Sequence, residues 1–277
     1  MRNLKLTLIC LGGLIAACQQ ASAGTVYHQG FETNSNGWFD SSNGWYGELT
    51  RVDASGGGIA ASQGNFYAKV LQDSSSAPYS NFAGSNDGMG WTGGNTVSLD
   101  IYLDTEMALG EGFDYSVALS KAPPSAPPND HLRDFIFHVT KDTDTGKLLV
   151  GGSNNTNYDP REDLETLHNY EVKTSGWYTF EHQFRDDGGV LFTDLNLRDS
   201  SGNLLFTETR GGSVAGGGLD LISDVGDVRY SWLTNIDVAG GIAIDNHLLT
   251  SAVPEPTSLA IFAIGIAGVG FNRRRRA

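Results

Sequence analysis

The amino-acid sequence predicts an all-β fold, an antiparallel two-sheet β-sandwich of the jelly-roll type. Roughly a dozen short segments alternate apolar and polar residues with the period of two that a half-buried strand requires. Clusters of Gly, Asn, Asp and Ser separate these segments and supply turns. No long stretch has the 3.6-residue period of an amphipathic helix, so the strand–helix alternation that builds a parallel sheet is missing.

Individual strands can be placed along the chain. Residues 97–103 alternate four aliphatic side chains with Ser98, Asp100 and Tyr102, and 113–119 and 135–139 follow similar patterns. These patterns predict strands with one apolar face.

A three-strand meander is predicted near the middle of the chain. Residues 177–184, 191–197 and 204–206 form its strands, and the turn sequences Asp-Asp-Gly-Gly and Asp-Ser-Ser-Gly connect them. Each turn is short, so the three strands are expected to be antiparallel neighbours in one sheet.

The C-terminal segment 253–277 has a composition unlike the rest of the chain. Two prolines flank one glutamate, an uncharged apolar run of thirteen residues (259–271) follows, and four arginines come next. The apolar run is shorter than the ~20 residues of a typical membrane span, and the arginines favour the cytoplasmic side. The residues concerned are Pro254, Glu255, Pro256, Arg273, Arg274, Arg275 and Arg276.

This tail resembles the PEP-CTERM sorting signal of bacterial exported proteins. The resemblance implies that an exosortase, a membrane protease, recognises the tail and cleaves near the Pro-Glu-Pro motif. It also implies that the C-terminal hydrophobic helix anchors the chain in the membrane only transiently.

The N-terminal residues 1–23 predict a secretory signal helix. Arg2 and Lys5 precede an apolar segment, and Ala21-Ser22-Ala23 forms a small-residue cleavage site. Residues 15–18 also resemble the lipobox of bacterial lipoproteins, which would make Cys18 the lipidated first residue. We favour cleavage after Ala23, because a lipid anchor is redundant beside a sorting tail.

One domain, 24–250, remains between the two targeting segments. Both cysteines, Cys10 and Cys18, lie outside it, so the domain has no disulfide. The targeting segments carry six of the 18 Lys and Arg and one of the 32 Asp and Glu, so their removal changes the net charge from −14 to −19. Such a domain is repelled by nucleic acid and by anionic membrane surfaces, and this charge predicts solubility and an affinity for divalent cations.

The domain resembles two superfamilies of extracellular β-sandwiches. The meander is similar to the concanavalin A-like lectins and glucanases, whereas the opening stretch 30–38 and the closing stretch 244–246 resemble jelly-roll carbohydrate modules. The galactose-binding-like modules are the alternative. Both resemblances imply an antiparallel two-sheet sandwich.

No catalytic motif is apparent in the sequence. The Glu-x-Asp-x-x-Glu pattern of concanavalin A-like glycosidases is absent, and the six histidines show no zinc-binding spacing. Residues 211–215 lack the last glycine of a nucleophile elbow. The sequence therefore predicts a non-catalytic protein, although two carboxylates from distant strands could still converge.

Calcium is the only cofactor that the sequence suggests. Asp142 and Asp144 alternate before Gly146, as at the start of a calcium loop, but a plain turn between two strands accounts for them equally well. The carbohydrate modules hold a structural calcium between an acidic residue of the first strand and one of the last. That resemblance implies a similar role for Glu32 and Asp245.

Four aromatic residues in Gly- and Asn-rich loops are candidates for sugar binding, since exposed rings stack on the C–H faces of sugars. They are Trp38, Trp45, Tyr46 and Trp91. Trp177 and Trp232 lie within strand patterns and are predicted to be core residues.

Three functions are consistent with these observations. The leading hypothesis is an exported, cell-surface or extracellular-matrix protein that binds glycan or supports the exopolysaccharide of a biofilm. This role is what the sorting tail implies. The alternatives are a glycan-active hydrolase or lyase of the concanavalin A-like superfamily, and a scaffold that self-associates.

Overall fold

The computed structural model describes residues 23–56, 58–122, 131–154, 161–212 and 220–252. These residues form two antiparallel sheets, so the predicted all-β sandwich is confirmed. Within these ranges the helical elements are four short 3₁₀ turns. The predicted signal helix and C-terminal hydrophobic helix lie outside the described residues.

The described residues contain fifteen strands. In chain order they are β1 Ala23–Gln29, β2 Trp38–Phe39, β3 Glu48–Asp53, β4 Phe66–Leu71, β5 Tyr79–Ser80, β6 Gly94–Leu103, β7 Gly112–Lys121, β8 His131–Lys141, β9 Leu148–Ser153, β10 Asn169–Val172, β11 Gly176–Asp187, β12 Val190–Asp199, β13 Leu204–Gly211, β14 Val225–Asp237 and β15 Ile242–Ala252.

The strands are divided between a sheet of eight and a sheet of seven. The larger sheet has the order β13-β12-β11-β6-β15-β4-β3, and β1 pairs with β15 beside β4. The smaller sheet has the order β10-β9-β8-β7-β14-β5-β2. The last strand, β15, therefore lies near the middle of the larger sheet and pairs with β6, β4 and β1.

The hydrophobic core lies between the two sheets. Because side chains alternate along a strand, Phe113 and Tyr115 of β7 face Phe180 of β11, while Asp114 points to the outer face of the smaller sheet. The core contains many aromatic rings, and Phe137 meets Phe180 edge to face at a centroid distance of 5.0 Å.

The predicted strands agree with the structure. The segments 97–103, 113–119 and 135–139 lie within β6, β7 and β8, and the predicted meander is β11-β12-β13. The first and last strands, β1 and β15, pair with each other, and Ala23 lies opposite Ala252. Among the described residues, no helix is long and apolar enough to cross a membrane.

Candidate functional site

A row of aromatic side chains crosses the outer face of the smaller sheet at its β14-β5-β2 edge. In β14, Ser231 and Leu233 are fully buried, so the intervening Trp232 and the preceding Tyr230 point outward. Trp232 pairs with Tyr79 of β5, and Tyr79 pairs with Phe39 of β2. Direct cross-strand partners on one face lie close enough to touch, so the sheet itself assembles the row.

The rings in this row contact one another. Phe39 stacks on Tyr79 with a centroid distance of 5.1 Å and an interplanar angle of 16°. Tyr79 meets Tyr230 edge to face at 6.5 Å, and Tyr230 meets Trp232 in the same way at 6.2 Å. Such contacts fix the orientations of the rings before any ligand arrives.

Trp45 joins the row from the loop after β2. Its indole N–H donates to the carbonyl oxygen of Ala77 at 3.2 Å, and the indole of Trp232 donates to the same oxygen at 3.1 Å. The ring of Trp45 also packs edge-on against Tyr79 at 4.8 Å. With 38% of its surface exposed, Trp45 is held in place and still presents a ring to solvent.

Four of these rings line an open pocket of about 530 Å³, which is within the ~300–1,000 Å³ typical of small-ligand sites. Polar side chains complete the wall. The lining residues are Trp45, Tyr79, Asn81, Asn86, Asp87, Ser120, Asp227, Arg229, Tyr230 and Trp232.

The polar part of the pocket is fixed by hydrogen bonds. Asp227 accepts the backbone N–H of Gly88 at 3.0 Å and that of Gly90, which anchors the 86–90 loop over β14. The Tyr230 hydroxyl donates to Asp134 at 3.3 Å. Burial and the negative charge of Asp134 raise the pKa of Tyr230, so its hydroxyl stays protonated at neutral pH.

The structure separates the four predicted sugar-binding aromatic residues. Trp45 lines the pocket, and Tyr46 lies beside it at 5.3 Å with 45% of its surface exposed. Trp91 is half-buried against the core. Trp38 is only 3% exposed and packs on Phe31 and His247, so the expectation that it presents a ring to solvent is wrong.

Sequence reasoning missed Tyr79, Tyr230 and Trp232. The prediction that Trp232 is a core residue is wrong, because its neighbours Ser231 and Leu233 occupy the buried face. The alternation within 230–233 could have indicated an outward Trp232. Trp177, also predicted to be core, is half-buried on the larger sheet, where its indole donates to the carbonyl of Ala60 at 2.7 Å.

The Asp142 region is a hairpin turn between β8 and β9. The Asp142 carboxylate accepts the backbone N–H of Thr145 at 2.6 Å and the Thr145 hydroxyl, which lowers the pKa of Asp142. One oxygen of Asp142 and one of Glu165 are buried without a hydrogen-bond partner among the described residues. Backbone hydrogen bonding lowers the pKa of Glu165, but burial and the charges of Asp142 and Asp163 raise it overall. Asp144 is exposed.

The second calcium pair, Glu32 and Asp245, is engaged with the loop before β4. Glu32 accepts the backbone N–H groups of Asn65 and Phe66, each at 3.0 Å, and Asp245 accepts that of Gln63 at 3.0 Å. Burial raises the pKa of Asp245 to about 6. In the described ranges, no three His, Cys, Asp or Glu side chains gather into a metal-binding group.

Comparison with known families identifies the C-terminal segment. Residues 252–276 match the family model described as the PEP-CTERM protein-sorting motif. The chain carries a PEP-CTERM sorting signal. This signal implies an exported protein that is anchored at the membrane before an exosortase processes it. The Pro-Glu-Pro motif and the four arginines, Arg273, Arg274, Arg275 and Arg276, fall within the match, outside the described residues.

The domain that precedes the PEP-CTERM signal has distant structural neighbours. A carbohydrate esterase, vb_24B_21, from the Shiga toxin-encoding bacteriophage phi24B has a TM-score of 0.49 at 14% identity, covering 83% of this chain and 99% of the esterase. The carbohydrate recognition domain of Emp47p has a TM-score of 0.41 at 8% identity, covering 83% of this chain and 97% of that domain.

Lectin I from Ulex europaeus has a TM-score of 0.31 at 9% identity, covering 73% of this chain and 91% of the lectin. No curated protein sequence matches the PEP-CTERM chain.

Proposed function

We propose that this exported protein binds glycan without cleaving it, and that the aromatic pocket on its smaller sheet is the binding site. The observation that carries the proposal is the pocket wall of Trp45, Tyr79, Tyr230 and Trp232, with carboxylate, amide and guanidinium groups beside the rings. Sugars present apolar C–H faces and a rim of hydroxyls. A site that joins fixed rings to polar groups complements both.

The polar groups of the pocket are suited to binding sugar hydroxyls. Asp227 accepts two backbone N–H groups, which hold its carboxylate in a fixed position beside the rings. Asp227 is therefore suited to accept hydrogen bonds from sugar hydroxyls.

The proposed partner is an extracellular polysaccharide of the cell surface or the biofilm matrix. The PEP-CTERM signal implies an exported protein, and such polymers are found outside the cell. The acidic surface disfavours nucleic acid, and a pocket that is open on one side admits an internal stretch of a chain as readily as its end.

The first prediction is that Trp45→Ala and Trp232→Ala weaken glycan binding. Each substitution removes one ring of the pocket wall, and the loss of a stacking contact worth about 1.4 kcal/mol weakens Kd about tenfold. A glycan array identifies a ligand for the wild type, and calorimetry with that ligand measures each Kd.

Trp177→Ala is the matched control for this experiment. Like Trp45 and Trp232, Trp177 is partly exposed and donates its indole N–H to a backbone carbonyl, but it lies on the other sheet. We expect Trp177→Ala to bind like the wild type. Equal losses in all three variants, or no glycan bound by the wild type, would contradict the proposal.

We further propose that Asp142 and Glu165 hold a calcium ion that stabilises the β8–β9 turn. Each carboxyl group has one buried oxygen without a hydrogen-bond partner among the described residues. The charge of Asp142 raises the pKa of Glu165, so the two carboxylates would repel each other without a cation between them. The second prediction is that calcium raises the melting temperature in thermal scans with calcium and with EDTA, since a ligand of the folded state stabilises it.

Asp142→Asn is expected to abolish the calcium-dependent shift, whereas Glu32→Gln, at the other calcium candidate, should retain it. A wild-type melting temperature that is the same in calcium and EDTA would refute both calcium sites.

A further inference from the structure

A second set of polar side chains lies on the outer face of the smaller sheet, away from the aromatic pocket. Asp114 of β7, His138 of β8 and Ser153 of β9 occupy three neighbouring strands. Asp114 and His138 are direct cross-strand partners, and Ser153 pairs with Ile136, two residues from His138. All three side chains therefore share one face and reach one another diagonally.

The hydrogen bonds follow the order carboxylate, imidazole, hydroxyl. Asp114 Oδ1 lies 2.7 Å from His138 Nδ1, and Ser153 Oγ lies 2.8 Å from His138 Nε2. The other oxygen of Asp114 accepts the side-chain amide of Asn235 at 2.5 Å. A carboxylate on Nδ1 sets the tautomer in which Nε2 can accept the serine proton, which is the arrangement of a nucleophilic triad.

A pocket opens directly onto the serine and the histidine. It has a volume of about 390 Å³ and shares no lining residue with the aromatic pocket. The 3₁₀ turn Arg161–Thr166 forms one side, where Leu164 packs so closely on Gly151 that a Cβ at this glycine would lie 2.9 Å from it. Gly151 lies on the same face of β9 as Ser153, and its lack of a side chain lets Leu164 pack beside the serine.

The walls of this pocket combine apolar and cationic groups. Leu164 and Leu167 supply the apolar part. Arg210 supplies a guanidinium group, which forms an ion pair with Glu208 at 3.0 Å and donates to the carbonyl oxygen of Gly152, next to Ser153, at 2.5 Å. A small acyl group fits the leucines, and a positive charge beside the hydroxyl favours the oxyanion that forms when a carbonyl is attacked.

Another serine–histidine pair in the same protein shows what a purely structural pair looks like. Ser231 Oγ lies 3.0 Å from His247 Nε2, but His247 Nδ1 has no partner within the described ranges. This pair is enclosed in the core by Trp38, Tyr27 and Phe82. The carboxylate and the adjoining pocket therefore distinguish Ser153–His138 from a buried pair that only satisfies hydrogen bonds.

We infer that Ser153, His138 and Asp114 form a hydrolytic site for short-chain carboxylic esters, a function separate from glycan binding at the aromatic pocket. Ser153 Oγ attacks the ester carbonyl while His138 Nε2 takes the hydroxyl proton. The ester C–O bond breaks, and the alcohol leaves with that proton.

Water then attacks the acyl-serine, and His138 again takes and returns the proton, so that a carboxylic acid is released and Ser153 is restored. Asp114 acts as a positioning residue that orients His138 and stabilises its charged form.

The test uses the full-length chain, p-nitrophenyl acetate as substrate and a fluorophosphonate as covalent probe. We expect repeated turnover of the ester, and one phosphonyl group, located by peptide mass spectrometry, on Ser153. Ser153→Ala should lose the label and lower kcat by about 10³-fold or more. Asp114→Asn should lower kcat by about 10²-fold or more with KM unchanged, because a structural role alone would not divide the two constants in this way.

Ser231→Ala is the matched control, since it also removes a hydroxyl bonded to a buried histidine. Retention of label and turnover in this variant supports the inference. Absence of label on Ser153 in the wild type, or turnover that persists in Ser153→Ala, overturns it. Because the labelled peptide is read from the wild type, this outcome does not depend on how well a variant folds. It is also independent of glycan binding, so the two functions fail separately.

Discussion

His182 and His247 are fully buried in the core. His182 lies between Tyr115 and Phe137, and its Nε2–H donates to the carbonyl oxygen of Phe135 at 3.0 Å. Burial lowers the pKa of each histidine to about 3, because an imidazolium ion in the core would lose its hydration. Both rings are therefore neutral in the folded protein at any pH near neutrality.

The third prediction is that stability falls as the pH is lowered from 7 to 5. Below about pH 6.5 these histidines bind protons in the unfolded chain but not in the folded one, which costs about 1.4 kcal/mol per pH unit for each. Asp245 has the opposite effect on stability below pH 6, since its raised pKa lets the folded state bind a proton before the unfolded chain does. The free energy lost through the two histidines is larger than that gained through this one carboxyl group.

Urea unfolding at several pH values measures the effect. His182→Leu should flatten the dependence by about half of the histidine contribution. A wild-type free energy of unfolding that is constant from pH 7 to 5 would show that the histidines are not protected in this way.

At the scale of single elements, β9 shows how closely the two sheets approach. A Cβ at Gly152 would lie 2.6 Å from the Leu195 side chain of the opposite sheet and 3.1 Å from that of Glu208. The backbone dihedrals of Gly152 are available to any residue, so the requirement for glycine here is one of space.

The fourth prediction concerns Gly152→Ala, which should destabilise the protein by about 1–3 kcal/mol, because overpacking forces the two sheets apart. Gly176→Ala is the control, since nothing lies within 4 Å of its added Cβ, and it should be neutral or stabilising by up to about 1 kcal/mol. Chemical denaturation compares the two. Equal free energies of unfolding for both variants would contradict this account of the packing.

The strands of the meander could be predicted from sequence because their signals are local. Alternation within 177–184 and 191–197, together with the short turns between them, fixes which residues face inward and which strands are neighbours. The turn at Asp142 was predictable for the same reason.

Neither pocket has such a local signal. Trp232 and Ala77, which meet through one hydrogen bond, are 155 residues apart, and their encounter depends on β5 and β14 becoming neighbours in the sheet. Asp114, His138 and Ser153 come together because β7, β8 and β9 are consecutive, but no motif marks their spacing. Trp38 was misjudged because a tryptophan in a glycine-rich loop can turn its ring inward as well as outward.

For the molecule as a whole, the acidic charge was predictable from composition, as was the absence of cysteine from residues 24–250. Stability rests on a core that fills the space between the two sheets and includes Phe31 and Phe184. The C-terminal sorting signal was also predictable, because its proline motif, apolar run and arginines are contiguous.

The pairing of β1 with β15 determines when the larger sheet can close in the exported chain. Ala23 has Ala252 as its strand partner, so the first strand finds its place in the sheet only when the last strand is present. Contacts between such distant parts of a chain form slowly, so in an exported chain this sheet closes only after the whole domain is available. Pro254 follows the last paired residue by two positions. A cut at the Pro-Glu-Pro motif therefore releases a domain whose closing strand is intact.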